Sequence, residues 1–322
     1  MKWFKTAERL KTAALRASGI LVLVFLWELL PRLGFVDPRF FPPLSAVLKA
    51  AGQLAVSGVL LTSVMVSLWR ALTGLFAALV LGLPLGLFFG RAPLFVEESC
   101  NPLFRFFSQF NPFSLLPVFI LFFGIGETAK IAIVAWVCIW PVFFNTAAGA
   151  RNIDRTLVKT ARSCGPGPLR FFFAVVLPAS SASIFTGLRL GLEMSFFMLL
   201  AAEMVGASFG LGWLLHNSGM NAQFGRMYAA ILMTVSLSCL LTGFLKYIEG
   251  RSFFWREALK ETGRRVRRKA LTKTDIGFAA ALGLFIFTAG IWQLQVAKAE
   301  QARFNHTGHS EHMPVTKGAS ME

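Results

Sequence analysis

The run from about Leu60 to Phe89 limits what this chain can fold into more than any other feature, because at ~1.5 Å per residue it can cross a ~30 Å hydrocarbon core with tilt or overhang. Further spans are expected from the Arg105 region to about Phe123, interrupted by Pro112 and Pro117, and from about Ile131 to Phe144, Ala179 to Glu203 and Met227 to Tyr247. Ahead of them stands GILVLVFLWELL, preceded by Lys2, Lys5, Arg9, Lys11 and Arg16 and followed by no small-x-small cleavage site, which predicts an uncleaved first span. With 55% hydrophobic and 15% charged residues, the chain carries more apolar surface than one soluble core could hide. The expected class is an all-α polytopic membrane protein with about six core helices. An apolar segment from Ile276 to Leu294 would add one extra C-terminal helix.

The net charge of +16 does not point to nucleic acid, because the basic residues sit between the apolar spans and the aromatics lie inside them. Basic loops facing the cytoplasm and a lipid bilayer around the spans account for it. The expected order is a basic cytoplasmic N-terminus over 1–17, a transmembrane domain over 18–257, a basic linker over 258–275, the added helix within 276–297 and a polar periplasmic tail over 298–322. Four cysteines with no Cys-x-x-Cys pair argue against a disulfide framework or a zinc site. His306, His309 and His312 fall in the tail beside Glu311, read here as solvated. No metal or cofactor is expected. No Gly-x-x-x-x-Gly-Lys-[Ser/Thr] loop occurs, so ATP chemistry would belong to another subunit.

Residues 154–178, DRTLVKTARSCGPGPLRFFFAVVLP, form a polar, basic island between these spans. Asp154 is a suitable N-cap, and Leu157, Ala161 and Cys164 at i, i+4 and i+7 predict one apolar stripe facing a partner, with Arg155, Lys159 and Arg162 wet. Gly165 can take a left-handed conformation, Pro166 cannot continue the helix, and Pro168 suits the start of a second one running into Leu177-Pro178. The expected motif is helix, sharp turn, helix.

This island resembles the cytoplasmic coupling loop of bacterial ABC importer permeases, in the register Lys159-Thr160-Ala161, Gly165, Val175, Leu177-Pro178. Lys159 and Thr160 stand where that family has Glu and Ala, which reverses a charge. LFFGIGETAK (121–130), NTAAGARNID (145–154), TGLRLGLEMSFFMLLAAEMVGASFGLGWLL (186–215) and SFFWRE (252–257) are similar to the nitrate, sulfonate, taurine and bicarbonate branch. The likeness runs from roughly Leu26 to Glu257. It implies a type I ABC importer transmembrane domain in a bacterial inner membrane, working as a homodimer with an ATPase dimer and a periplasmic solute-binding protein. It also implies that the loop meets the ATPase, through Asp154, Leu157, Lys159, Thr160, Ala161, Gly165, Leu177 and Pro178. Two rival readings are a secondary transporter, which would want inverted repeats and a buried ion site, and a non-transporting membrane scaffold.

Ionisable groups within a span need a partner or a wet path. Arg189 lies 11 residues beyond Pro178, ~16 Å along a helix, and Glu193 is one turn further on the same face, so the two are expected to pair. They serve either as a structural salt bridge or as part of a translocation path. Glu203 is expected near the outer end of its span, in contact with solvent or a partner.

Overall fold

The computed structural model describes residues 18–19 and 21–252. The expected C-terminal helix, basic linker and tail, and most of the basic N-terminus, lie outside the described residues. Among those described, every regular element is helical. The first helix, α1, covers 21–32, and α2 covers Leu44–Val56. Among the described residues, four helices are long and apolar enough to cross a membrane, and they belong to the spans beginning at Val59, Glu127, Pro168 and Phe224.

The first two of these are α3, Val59–Arg91, and α6, Glu127–Arg151. The others contain α9, Leu177–Met204, and α11, Phe224–Ser252. Between α3 and α6 lie α4, Leu94–Ser108, and α5, Pro112–Phe123, bent by 87° relative to each other. The third span was expected to be interrupted at Pro112 and Pro117, yet the break falls only at the first. Asn111 caps α5 by accepting the Phe113 N–H at 3.0 Å, and Pro112 starts the new helix with its fixed φ, whereas Pro117 is carried inside α5.

Small residues set the core geometry. On α3, Gly74, Ala78, Gly82 and Gly86 recur every four residues and are all buried, so one face can lie directly against α6. A Cβ on Gly74 would come within 2.6 Å of Val134, and one on Gly86 within 2.8 Å of the Phe143 carbonyl. On α9, a Cβ on Gly187 would come within 2.8 Å of the Pro141 carbonyl and one on Gly191 within 3.1 Å of Leu75, and the Cys138 thiol donates to the Gly191 carbonyl at 3.1 Å. Without a hydrophobic drive between helices in lipid, such close approach is what holds α3, α6 and α9 together.

At the end of the bundle where α3 and α6 begin, α2 buries Val47 and Leu54 against Leu211 and Leu214 of α10, Leu211–Met220, and Ala229 and Ala230 of α11. The glycine-rich stretch after α9 thus supplies a short helix rather than a simple loop. At the opposite end, Leu87, Ala150, Ile153, Val176 and Ile184 form a second cluster beneath the 154–178 island. Between α4 and the ends of α3 and α6 lies a cleft of about 530 Å³, bridged by the Arg151–Glu97 ion pair.

Candidate functional site

The island folds as a mounted helix. Asp154 accepts the Thr156 N–H at 2.8 Å and opens α7, Arg155–Ser163, none of whose residues is buried. Gly165 stands at φ +68°, and its N–H donates to the Arg162 carbonyl at 2.9 Å. Pro168 begins α8, Pro168–Phe171, and a π turn at Phe172–Val176 leads to Leu177 and Pro178, which open α9. Leu177 is half-buried and Pro178 exposed.

Of the stripe read from the sequence, Leu157 and Cys164 are exposed and Ala161 is half-buried. The residue turned toward the bundle is Val158, packed on the cluster formed by Leu87, Ala150, Ile153, Val176 and Ile184. Phe171 joins that cluster and carries the Arg91 and Arg162 guanidinium groups at 5.8 and 5.6 Å from its ring centre. These contacts tie α7 to the ends of α3, α6 and α9. The outer surface keeps Leu157, at 48% exposure, together with exposed Lys159 and Thr160.

Sequence reasoning missed a second constellation, at the far end of the bundle. Arg70 of α3 is 3% exposed. It donates through Nε and Nη2 to Glu127 at 2.5 and 2.7 Å, and through Nη1 to Glu203 at 2.7 Å and to the Phe209 carbonyl at 2.8 Å. Lys130 adds contacts to Glu127 and to the Gly206 carbonyl. Glu203, fully buried, also accepts from the Ser67 hydroxyl at 2.8 Å and the Gly212 N–H at 2.9 Å, so its carboxylate sits against the first turn of α10. The Ser67 oxygen in turn accepts the Leu211 N–H at 2.8 Å. The expected solvent or partner contact of Glu203 is thus corrected. The chain supplies hydrogen bonds to both oxygens of this carboxylate. An arginine within an otherwise apolar run was the available signal, since such a residue demands a partner.

The expected pairing of Arg189 with Glu193 does not form. Arg189 reaches across to Glu249 of α11 at 3.3 Å, each side chain about a quarter exposed, while Glu193 lies exposed one turn along. Arg189→Met should lower the thermal midpoint of the purified protein by the equivalent of about 1 kcal/mol, and Arg189→Met with Glu249→Leu should recover most of it. Glu193→Met should leave that midpoint in place; a fall as large as that of Arg189→Met would restore the intrahelical pair.

Among the described residues, an all-α bundle built on close small-residue contacts, with four helices long and apolar enough to span, defines a multi-pass membrane protein. Residues 82–253 match the family of binding-protein-dependent transport system inner membrane components, and the chain belongs to that family. It is 29% identical over 260 residues to the taurine transport system permease protein TauC of Escherichia coli (strain K12), covering 79% of this chain and 94% of that one. To the putative aliphatic sulfonates transport permease protein SsuC of the same organism it is 34% identical over 241 residues, covering 74% and 91%. To the nitrate import permease protein NrtB of Leptolyngbya laminosa it is 31% identical over 188 residues, covering 58% and 66%. In fold it is similar to an inward-facing crystal structure of the MetNI methionine ABC transporter, with a TM-score of 0.54 at 20% identity over 59% of this chain and 94% of that one.

Proposed function

We propose that this chain is the membrane-spanning subunit of an ATP-driven importer for a small oxyanionic solute, and that two copies act together with two ATPase subunits. The observation that carries this reading is α7, a helix with no buried residue that is nevertheless fixed to the bundle through Val158 and Phe171. A surface helix held this way transmits a push. Motion imposed on Leu157 and Lys159 from outside reaches the ends of α3, α6 and α9 through the cluster beneath, so closure of two ATPases on ATP would move the bundle. In this reading α7 and the N-terminus face the cytoplasm, and the far end, with α10, meets a solute-binding protein. The C-terminal tail would lie outside. The solute class follows the taurine, sulfonate and nitrate permeases to which the chain is similar.

The test is co-purification of an ATP-hydrolysing subunit with the tagged chain, followed by ATP-dependent uptake in vesicles. Leu157→Asp should cut recovery of that subunit about tenfold, the equivalent of losing most of one buried leucine side chain. Lys159→Glu should weaken assembly if the groove that receives it is acidic. Unchanged recovery of the ATPase in both variants would place its docking site elsewhere.

A further inference from the structure

A groove of about 440 Å³ lies between α5, α9 and α11, and Glu193 is the carboxylate on its wall. The rest of the lining is apolar or neutral, including Phe113, Phe197, Thr234, Ser238 and Cys239, with no Lys or Arg among the described residues. The depth is consistent across the three helices. Glu193 is 11 residues from the end of α9 at Met204, Thr234 is 10 from the start of α11 and Phe113 is 10 from the end of α5, each ~15 Å along its helix. That is about half of a ~30 Å hydrocarbon core.

A carboxylate at this depth, facing outward with no ion pair or hydrogen bond to its side chain among the described residues, is costly against lipid tails and calls for a cation or a wet path. Arg189 cannot answer it, since its guanidinium is engaged by Glu249. Beside Glu193, the rings of Phe113 and Phe197 meet edge to face at 5.6 Å and 89°, exposed by 47% and 63%. A carboxylate next to an open aromatic corner is the arrangement that recognises an ammonium group, by charge on one side and by ring faces on the other. The Ser238 and Thr234 hydroxyls flank it.

We infer that this groove lines the solute path and binds the ammonium end of a zwitterionic solute, so that the cargo is an amine-bearing sulfonate or related amino acid rather than a simple anion. The inference rests on the transport reading above and narrows its solute class. A bare anion would meet a negative wall halfway across. A solute carrying both charges gains at Glu193 while its acidic end points away.

Cys239, exposed on the same wall, is a native probe. The protein with Cys100→Ser and Cys164→Ser keeps only this thiol and buried Cys138. In the assembled complex in vesicles, aminoethyl methanethiosulfonate should modify Cys239 about tenfold faster than the sulfonatoethyl reagent, after correction for their rates with free 2-mercaptoethanol. Glu193→Gln should abolish that preference and Glu193→Asp should keep it. Ethylammonium and 2-aminoethanesulfonate should slow the labelling, and ethanesulfonate, which differs from the latter only by the amine, should not. Equal rates, a preference that survives Glu193→Gln, or protection by ethanesulfonate would overturn the proposal. Failure of both reagents to reach Cys239 would overturn it too, by showing that lipid or a second copy covers the groove. The labelling does not depend on ATP. Selective labelling without ATP-driven uptake therefore sinks the importer reading and leaves the site, and uptake without selectivity does the reverse.

Discussion

Arg70→Met is expected to destabilise the protein by about 3–5 kcal/mol, because it strands Glu203 without a counter-charge in a fully buried position. The loss is large for a physical reason. Glu203 would keep its bonds from Ser67 and Gly212, but neither neutralises it, and the Phe209 carbonyl would lose its donor as well. Adding Glu203→Leu to Arg70→Met should recover a substantial part of the loss, since Glu127 retains Lys130 and no bare charge remains buried. The measurement is the thermal midpoint of the detergent-solubilised protein, followed by tryptophan fluorescence and by the fraction remaining monodisperse. A midpoint in Arg70→Met within error of the parent would show that the network does not hold α10 in place.

On the importer reading, Gly165→Val is expected to uncouple ATP hydrolysis from uptake by about tenfold while leaving the bundle folded. A Cβ at Gly165 would meet nothing within 4 Å, so the whole effect comes from the backbone at φ +68°. A residue other than glycine pays roughly 1–2 kcal/mol to stay left-handed, and a β-branched one is an outlier there. The cheaper response is for the turn to relax, which swings α7 off its mount at Val158 and Phe171. Gly165→Asn supplies the control, because asparagine tolerates that conformation. Uptake and solute-stimulated ATP hydrolysis should be near normal in Gly165→Asn and separated in Gly165→Val. Normal coupling in the valine protein would remove the turn from the transmission path.

The parts of this molecule that were legible in its sequence are those written by local rules. Asp154, Gly165 and Pro168 mark the limits of α7 and the start of α8 because capping, left-handed turns and first-turn prolines act within a few residues. The long spans were also placed, although α6 runs from Glu127 to Arg151 rather than from 131 to 144, since a helix continues past the apolar stretch that predicts it. The illegible parts depend on which elements meet. Arg70, Glu127 and Glu203 are separated by 57 and 133 positions from the arginine, and no pattern in one strand of sequence says that α3, α6 and α9 bring them together. The Arg189 partner was misplaced for the same reason: spacing offers Glu193, but the side chain finds Glu249, 60 positions away. Which apolar residue of α7 turns inward was decided by the cluster under it, and that cluster is built by distant helices.

The separation between Arg70 and its partners also has a meaning in time. A ribosome adding about 5–20 residues per second delivers Glu203 on the order of ten seconds after Arg70, with Glu127 arriving in between. For that interval α3 carries its arginine without the carboxylate that will enclose it, at an insertion cost of roughly 2.5–3.5 kcal/mol that its remaining apolar residues must cover. Glu127 relieves the charge first. Only when α9 has entered and the 205–210 segment has turned back can Ser67 and the first turn of α10 close over Glu203. Among the described residues, the last piece of the bundle to be synthesised that touches Arg70 is therefore the piece that seals it, and a chain interrupted before residue 203 has no sealed state to reach.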